Sequence, residues 1–123
     1  MNNIRFIKEW IKKSWSDLKT AEYNLKGRKN DAAAFYSQQS TEKALKALQI
    51  ARFGKFDKIH DLILLAKSVE APEAIINECR KINPFYVITR YPDVEELFDE
   101  IKPLELVKSS KRVFLWVKEM LNY

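Results

Sequence analysis

Apolar residues recur along this chain at helical spacing, and almost nowhere in the two-residue rhythm of a strand. Ile7, Ile11, Leu18, Ala21 and Leu25 repeat at about 3.5 residues, with Ser14 at the one polar gap, and predict a first helix from about Asn3 to Lys26. Phe6, Trp10 and Trp15 lie off that stripe, giving this helix more apolar surface than one core needs. Gly27 and the polar run Arg28-Lys29-Asn30 predict its end. Glycine suits a left-handed C-cap, basic residues suit the negative end of the helix dipole, and Asn30 or Asp31 is a candidate cap for the next helix.

The second helix is predicted from about Ala32 to Arg52. Ala33, Ser37, Ser40, Ala44, Ala47 and Ala51 form a stripe of small residues that lets a neighbouring helix backbone approach closely, as in the centre of a bundle. Gln38, Gln39, Thr41 and Glu42 put polar groups near its middle, and buried polar groups need partners, so this helix is expected to carry a hydrogen-bond network. A connection around Gly54 leads to a short third helix, about Ile59 to Val69, with Leu62, Leu65, Ala66 and Val69 inward. Pro72 suits the first turn of a fourth helix holding Ile75, Ile76, Cys79 and Ile82. Asn83-Pro84 ends it, and the run from Phe85 to Asp93 reads as a loop or a partly extended link. The stretch from Asp93 to Glu100, with five acids and no base, reads as a short helix or a loop. Pro103 opens the last helix, to about Leu121, whose Val107, Val113, Phe114, Leu115, Trp116, Val117, Met120 and Leu121 spread over more than one face. A helix apolar nearly all round is buried on both sides. With Phe6, Trp10 and Trp15 this surplus predicts a subunit interface, most simply a two-fold homodimer.

The pattern gives an all-α fold, an antiparallel up-and-down bundle of four to five helices in one domain spanning residues 1–123. Two glycines and four prolines are too few for a fold with many turns. No stretch reads as a signal peptide, and none approaches the ~20 apolar residues that cross a bilayer; a cytoplasmic protein with no membrane partner is expected. The single cysteine, Cys79, excludes an internal disulfide and reads as a small buried hydrophobe, and with His60 as the sole histidine no ordinary transition-metal site and no cofactor is expected.

Charge changes this picture. The net charge is +5, but residues 1–61 carry thirteen Lys/Arg against seven Asp/Glu, or +6, and residues 62–123 carry nine against ten, or −1. A basic half suits a phosphate-bearing partner; ordinary solvated helix faces are the alternative. The chain has no Walker loop, GxGxxG, GxSxG, HExxH or paired-cysteine pattern, which disfavours most familiar enzyme classes.

Three constellations remain: Gln39-Ser40-Thr41-Glu42-Lys43-Ala44-Leu45-Lys46-Ala47-Leu48, then His60-Asp61-Leu62 with Leu65 three residues on, then Thr89-Arg90-Tyr91-Pro92-Asp93. In this order and at these separations, from about Trp15 to Val117, they resemble the HEPN domain family. The resemblance implies a bundle of four or five helices that dimerises, and a role with a nucleotide, RNA or a minimal nucleotidyltransferase partner, in some members as a toxin–antitoxin module. Some members are metal-independent RNases with an arginine and a histidine more closely spaced than Arg52 and His60, which have seven residues between them.

The chemistry behind such a pair is simple. Cleavage of RNA by its own 2′-hydroxyl needs a proton carrier near neutral pH, which histidine supplies, and positive charge on the phosphorane, which arginine supplies. Arg52 and His60 are therefore the candidate catalytic pair of an endoribonuclease; alternatively His60 helps start the third helix and Arg52 meets a helix C-terminus. Arg90 and Tyr91 offer a phosphate contact and a stacking face, unless Arg90 pairs with Glu42 or with an acid of residues 93–100. Lys43 and Lys46 are further phosphate-binding candidates; with Glu42 they also fit an intramolecular ion-pair face. A purely structural dimerisation module is the third reading.

Overall fold

The computed structural model describes residues 3–91 and 102–123. Among them are six helices and no strand: α1 (Asn3–Lys26), α2 (Asn30–Phe53), α3 (Leu62–Ser68), α4 (Glu73–Ile82), the single turn α5 (Phe85–Ile88) and α6 (Pro103–Leu121). The all-α bundle expected from the periodicity is the observed fold.

Helix α2 is the central post. It packs most extensively on α1 and then on α6, and it also meets α3, α4 and α5. The small-residue stripe explains this position. Ala33, Ser37, Ser40, Ala44 and Ala47 are buried, while Ala51 at the far end is exposed. Between α1 and α2, Ser14 donates to the carbonyl of Ser40 (2.6 Å) and Ser40 donates back to the carbonyl of Ser14 (2.8 Å). On the α6 side Ser110 donates to the Ser37 carbonyl (2.9 Å), with the Thr41 hydroxyl 3.0 Å from Ser110 Oγ. Serines here permit close backbones and satisfy their own hydroxyls in a dry contact. Around them Leu18, Leu45, Leu48, Leu62, Leu65, Ile82, Phe85, Leu106 and Val113 fill one continuous core.

The helix ends depart from the sequence expectations in instructive ways. The left-handed residue closing α1 is Arg28 (φ 59°), not Gly27, and Lys29 precedes α2 without a side-chain cap, so neither Asn30 nor Asp31 caps it. The chain closes α1 through Gly27 N–H to the Tyr23 carbonyl (3.1 Å) and Lys29 N–H to the Asn24 carbonyl (2.8 Å). Backbone bonds do there what a cap side chain does elsewhere. Gly54 (φ 75°) closes α2 in the left-handed region, where a side chain would be strained. Helix α3 starts at Leu62 rather than Ile59, because Asp61 caps it by accepting from the N–H groups of Ile63 (2.9 Å) and Leu64 (3.2 Å). Pro72 stands at the N-cap of α4, one residue before its first turn.

The run after Pro84 is a correction. Its residues predict a loop or a partly extended link, yet Phe85–Ile88 forms a helical turn. Phe85 is fully buried, and its β-branched and aromatic neighbours have no strand to pair with among the described residues. Burial of one ring decided the local conformation against strand propensity. The acidic stretch from Asp93 to Glu100 lies outside the described residues. On α6, Leu106, Val107, Val113, Phe114 and Val117 are buried, whereas Leu115 and Met120 remain exposed, as do Phe6 and Trp15 on α1.

Candidate functional site

Three polar side chains spaced four apart on α2, Gln38, Glu42 and Lys46, form a ladder on the face turned to the α2–α3 connection. Gln38 Nε2 donates to Glu42 Oε1 (3.0 Å) and Lys46 Nζ to Glu42 Oε2 (3.0 Å). The Lys46 and Glu42 side chains are only 5% and 8% exposed. A buried ion pair persists when its charges are paired and further hydrogen-bonded, and this carboxylate has three such partners. Burial by itself pushes the Glu42 carboxyl up; the hydrogen bonds from Gln38, Lys46 and His60 together outweigh it and hold the group below its ordinary 4.5.

The third partner is His60, whose Nδ1 lies 3.0 Å from Glu42 Oε1 and 3.1 Å from Oε2. The connection that carries His60 is pinned at both ends. Gln49 Nε2 donates to the Asp57 carboxylate (3.0 Å) and Gln49 Oε1 accepts from the Asp57 N–H (3.0 Å), while Asp61 caps α3 and takes a further bond from Asn83. The His60 side chain is 48% exposed. With Nδ1 against a carboxylate, the neutral ring carries its proton there, which leaves Nε2 as an acceptor. No described residue bonds Nε2.

His60 stacks on Tyr86 of α5, with centroids 4.1 Å apart and planes within 15°, and the guanidinium of Arg90 lies 4.3 Å from the same Tyr86 ring. Imidazole, phenol and guanidinium thus form three tiers. Beside them a groove of about 460 Å³ runs along His60, Asp61, Asn83, Pro84, Tyr86, Val87 and Ile88. Arginine stacked on a ring keeps its donors free at the edges for a phosphate, and the half-exposed imidazole that ends the stack offers a base a flat face.

The structure sorts the candidate residues. His60 and Arg90 come together around Tyr86, and Tyr91 is exposed one residue on. Arg52 goes elsewhere: its guanidinium donates to the Val69 carbonyl at the end of α3. Lys43 is held by Asp17 of α1 and by Gln39 Oε1 (3.3 Å), and Lys46 is held under Glu42. Arg90 contacts Tyr86 rather than Glu42.

Sequence reasoning misses Tyr86 and Asp17, while Gln38 belongs to the hydrogen-bond network expected of α2. Tyr86 and Arg90 are four apart, the spacing that places side chains together on a helix, but the β-branched and aromatic run around them predicts no helix and so masks the pairing. Gln38 was legible from its four-residue step to Glu42 and Lys46. Asp17, buried between Lys13 (3.4 Å) and Lys43, shares a four-residue step with Lys13, but its bond to Lys43 has no such signal; only the packing of α1 on α2 creates that one. Cys79, fully buried in α4, is unrelated to this site, and desolvation together with the neighbouring Glu78 pushes its thiol up to about 12.

Comparison with known proteins bears on the same elements. The HEPN domain model matches residues 7–120. Among solved structures, the archaeal HEPN homologue ST0689 aligns with a TM-score of 0.79 at 30% identity, covering 93% of this chain and 96% of that one. The Thermus thermophilus protein TT1696 aligns with a TM-score of 0.84 at 25% identity, covering 97% of this chain and 98% of the other. No protein of curated function matches the chain.

Proposed function

Because the chain belongs to the HEPN domain family, we propose that it binds RNA or a nucleotide in the groove beside His60. The observation that carries this reading is the stack of His60, Tyr86 and Arg90, tied to the interior through Glu42. A ring face for a base, a guanidinium for a phosphate and a fixed imidazole nitrogen for a further polar contact are what a nucleotide requires. Tyr91, exposed beside Arg90, adds a second ring. Lys43 and Lys46 contribute field rather than contact, since both are engaged by carboxylates. Calorimetric titration with nucleotides and short RNA tests this: the wild type binds, and Arg90→Ala and His60→Ala each bind more weakly. Absence of binding by the folded wild type would sink it.

A second reading is metal-independent RNA cleavage, favoured by the Glu42–His60 contact that leaves Nε2 as a proton acceptor. In this reading Arg90 takes the phosphate-stabilising role within the chain, and Arg52 serves it only from a second protomer. Cleavage of cellular RNA in excess chelator, lost in folded His60→Ala and Arg90→Ala, supports it; intact RNA assigns His60 to binding alone.

The wider role extends the same proposal. No helix among the described residues is long and apolar enough to cross a membrane, and a cytoplasmic location accords with that. The exposed Trp15, Leu115 and Met120 support a homodimer. A minimal nucleotidyltransferase as partner, in a toxin–antitoxin module, is the association proposed for the assembled protein; co-purification of the two chains is its direct test.

A further inference from the structure

Lys46 has a second neighbour that the groove beside His60 does not use. Its ammonium lies 5.4 Å from the ring of Phe56, in the α2–α3 connection. Phe56 in turn meets Trp10 of α1 at 4.7 Å between centroids, tilted by 59°. These two rings and Phe6 line a separate concavity of about 310 Å³, with Lys55 and Lys58 among its other residues. Phe6 is 52% exposed, so a good part of this aromatic surface faces solvent. Neither Lys55 nor Lys58 has a carboxylate partner among the described residues. The acid between them in sequence, Asp57, is already engaged by Gln49. That same bond fixes the connection, so Phe56 is held in place. Phe56 and His60 stand four residues apart on the same connection, and contacts run between them through the buried pair: Phe56 to Lys46, Lys46 to Glu42 (3.0 Å), Glu42 to His60 (3.0 Å).

We propose that this aromatic concavity receives the base of a second nucleotide, adjacent to the one held at His60, so that the ligand is a single-stranded RNA segment laid across both. The inference rests on the reading of the groove beside His60 as a nucleotide site. Solvent-facing rings interleaved with free lysines are the surface that single strands use, because every base has a face to stack and every linkage a phosphate to neutralise. Charge complementarity favours this occupant over an apolar peptide segment: two unpaired lysines beside the rings would be buried uncompensated by a neutral partner. Phe6, exposed on α1, acquires a use here beside Trp10 at the edge of the core.

The test compares uridine monophosphate with a uridine trinucleotide by calorimetry on the intact chain. The trinucleotide binds the wild type roughly tenfold or more tightly than the monophosphate, the gain expected from one further stacked base and its phosphate. Phe6→Ala and Lys58→Ala, both at exposed positions, remove most of that gain and leave monophosphate affinity unchanged. Trp10→Phe keeps the gain and Trp10→Ala loses it, each variant first checked for an unaltered melting transition. A wild type that gains nothing from the added nucleotides overturns the inference, as does a gain that survives Phe6→Ala with Lys58→Ala. If the monophosphate binds and only the gain is missing, the His60 groove stands and the second subsite falls. If neither ligand binds, both readings fall.

Discussion

Helix α2 carries two polar clusters that meet very different fates. Along one side, Ser37, Ser40 and Thr41 are buried against Ser14 and Ser110, and each hydroxyl finds a partner inside the protein. On the other, Gln38, Glu42 and Lys46 are equally buried, but their chain of bonds runs outward through His60 to a half-exposed ring whose second nitrogen has no described partner. The first cluster is closed and serves packing. The second is open at one end, and that opening separates a structural network from a site. Polarity in a core therefore says little about function until the last member of the network is located.

The largest effect that can break this comparison is expected at the root of the open cluster. Glu42→Ala leaves Lys46 buried without its counter-ion and should cost about 3–5 kcal/mol in urea denaturation. Replacing both charges together, Glu42→Leu with Lys46→Met, should cost far less, because no orphaned charge remains. A single replacement as mild as the double one would show that Lys46 escapes to water and that the ladder is not closed at its base.

In the closed cluster, Ser40→Leu pushes apart backbones that the two serine hydroxyls now bridge, and overpacking of this kind costs about 1–3 kcal/mol. Ser40→Ala, which removes only a hydroxyl, should cost about 1 kcal/mol by the same measurement. Equal losses for the two would mean that the approach of α1 and α2 has slack.

Acid sharpens the contrast because only the open cluster titrates. The folded Glu42 carboxyl lies below its ordinary value of 4.5, so its contribution to stability is complete above that value and is lost as pH falls through the lower folded one. The wild type should therefore lose stability below about pH 4.5 more steeply than Glu42→Gln, read from denaturation midpoints across that range. Parallel curves would remove Glu42 as the acid-sensitive group.

The smallest stability effect belongs to the outer tier. Arg90→Ala should move the unfolding free energy by no more than about 0.5 kcal/mol, since Arg90 is exposed, yet weaken nucleotide binding about tenfold or more. A variant that unfolds early and binds normally would reverse the roles assigned to Arg90.

The residue pattern by itself determined much of this protein: the helices other than α5, their order, the inward stripes of α1, α2 and α4, and the ordered signature that resembles the family whose model matches residues 7–120. These features repeat every three to four residues, and a local period is all that a helix and its buried face require. Tertiary structure alone decided the partners. Arg52 and His60 are neighbours in sequence terms, yet α3 draws Arg52 to the Val69 carbonyl while α2 draws His60 to Glu42. Asp17 is buried only because α1 lies on Lys43, and Tyr86 faces His60 only because the burial of Phe85 wound one turn of helix where the residues by themselves favour extension. Side chains brought together from separate helices depend on how those helices dock, and docking is a property of the whole core that no single segment encodes.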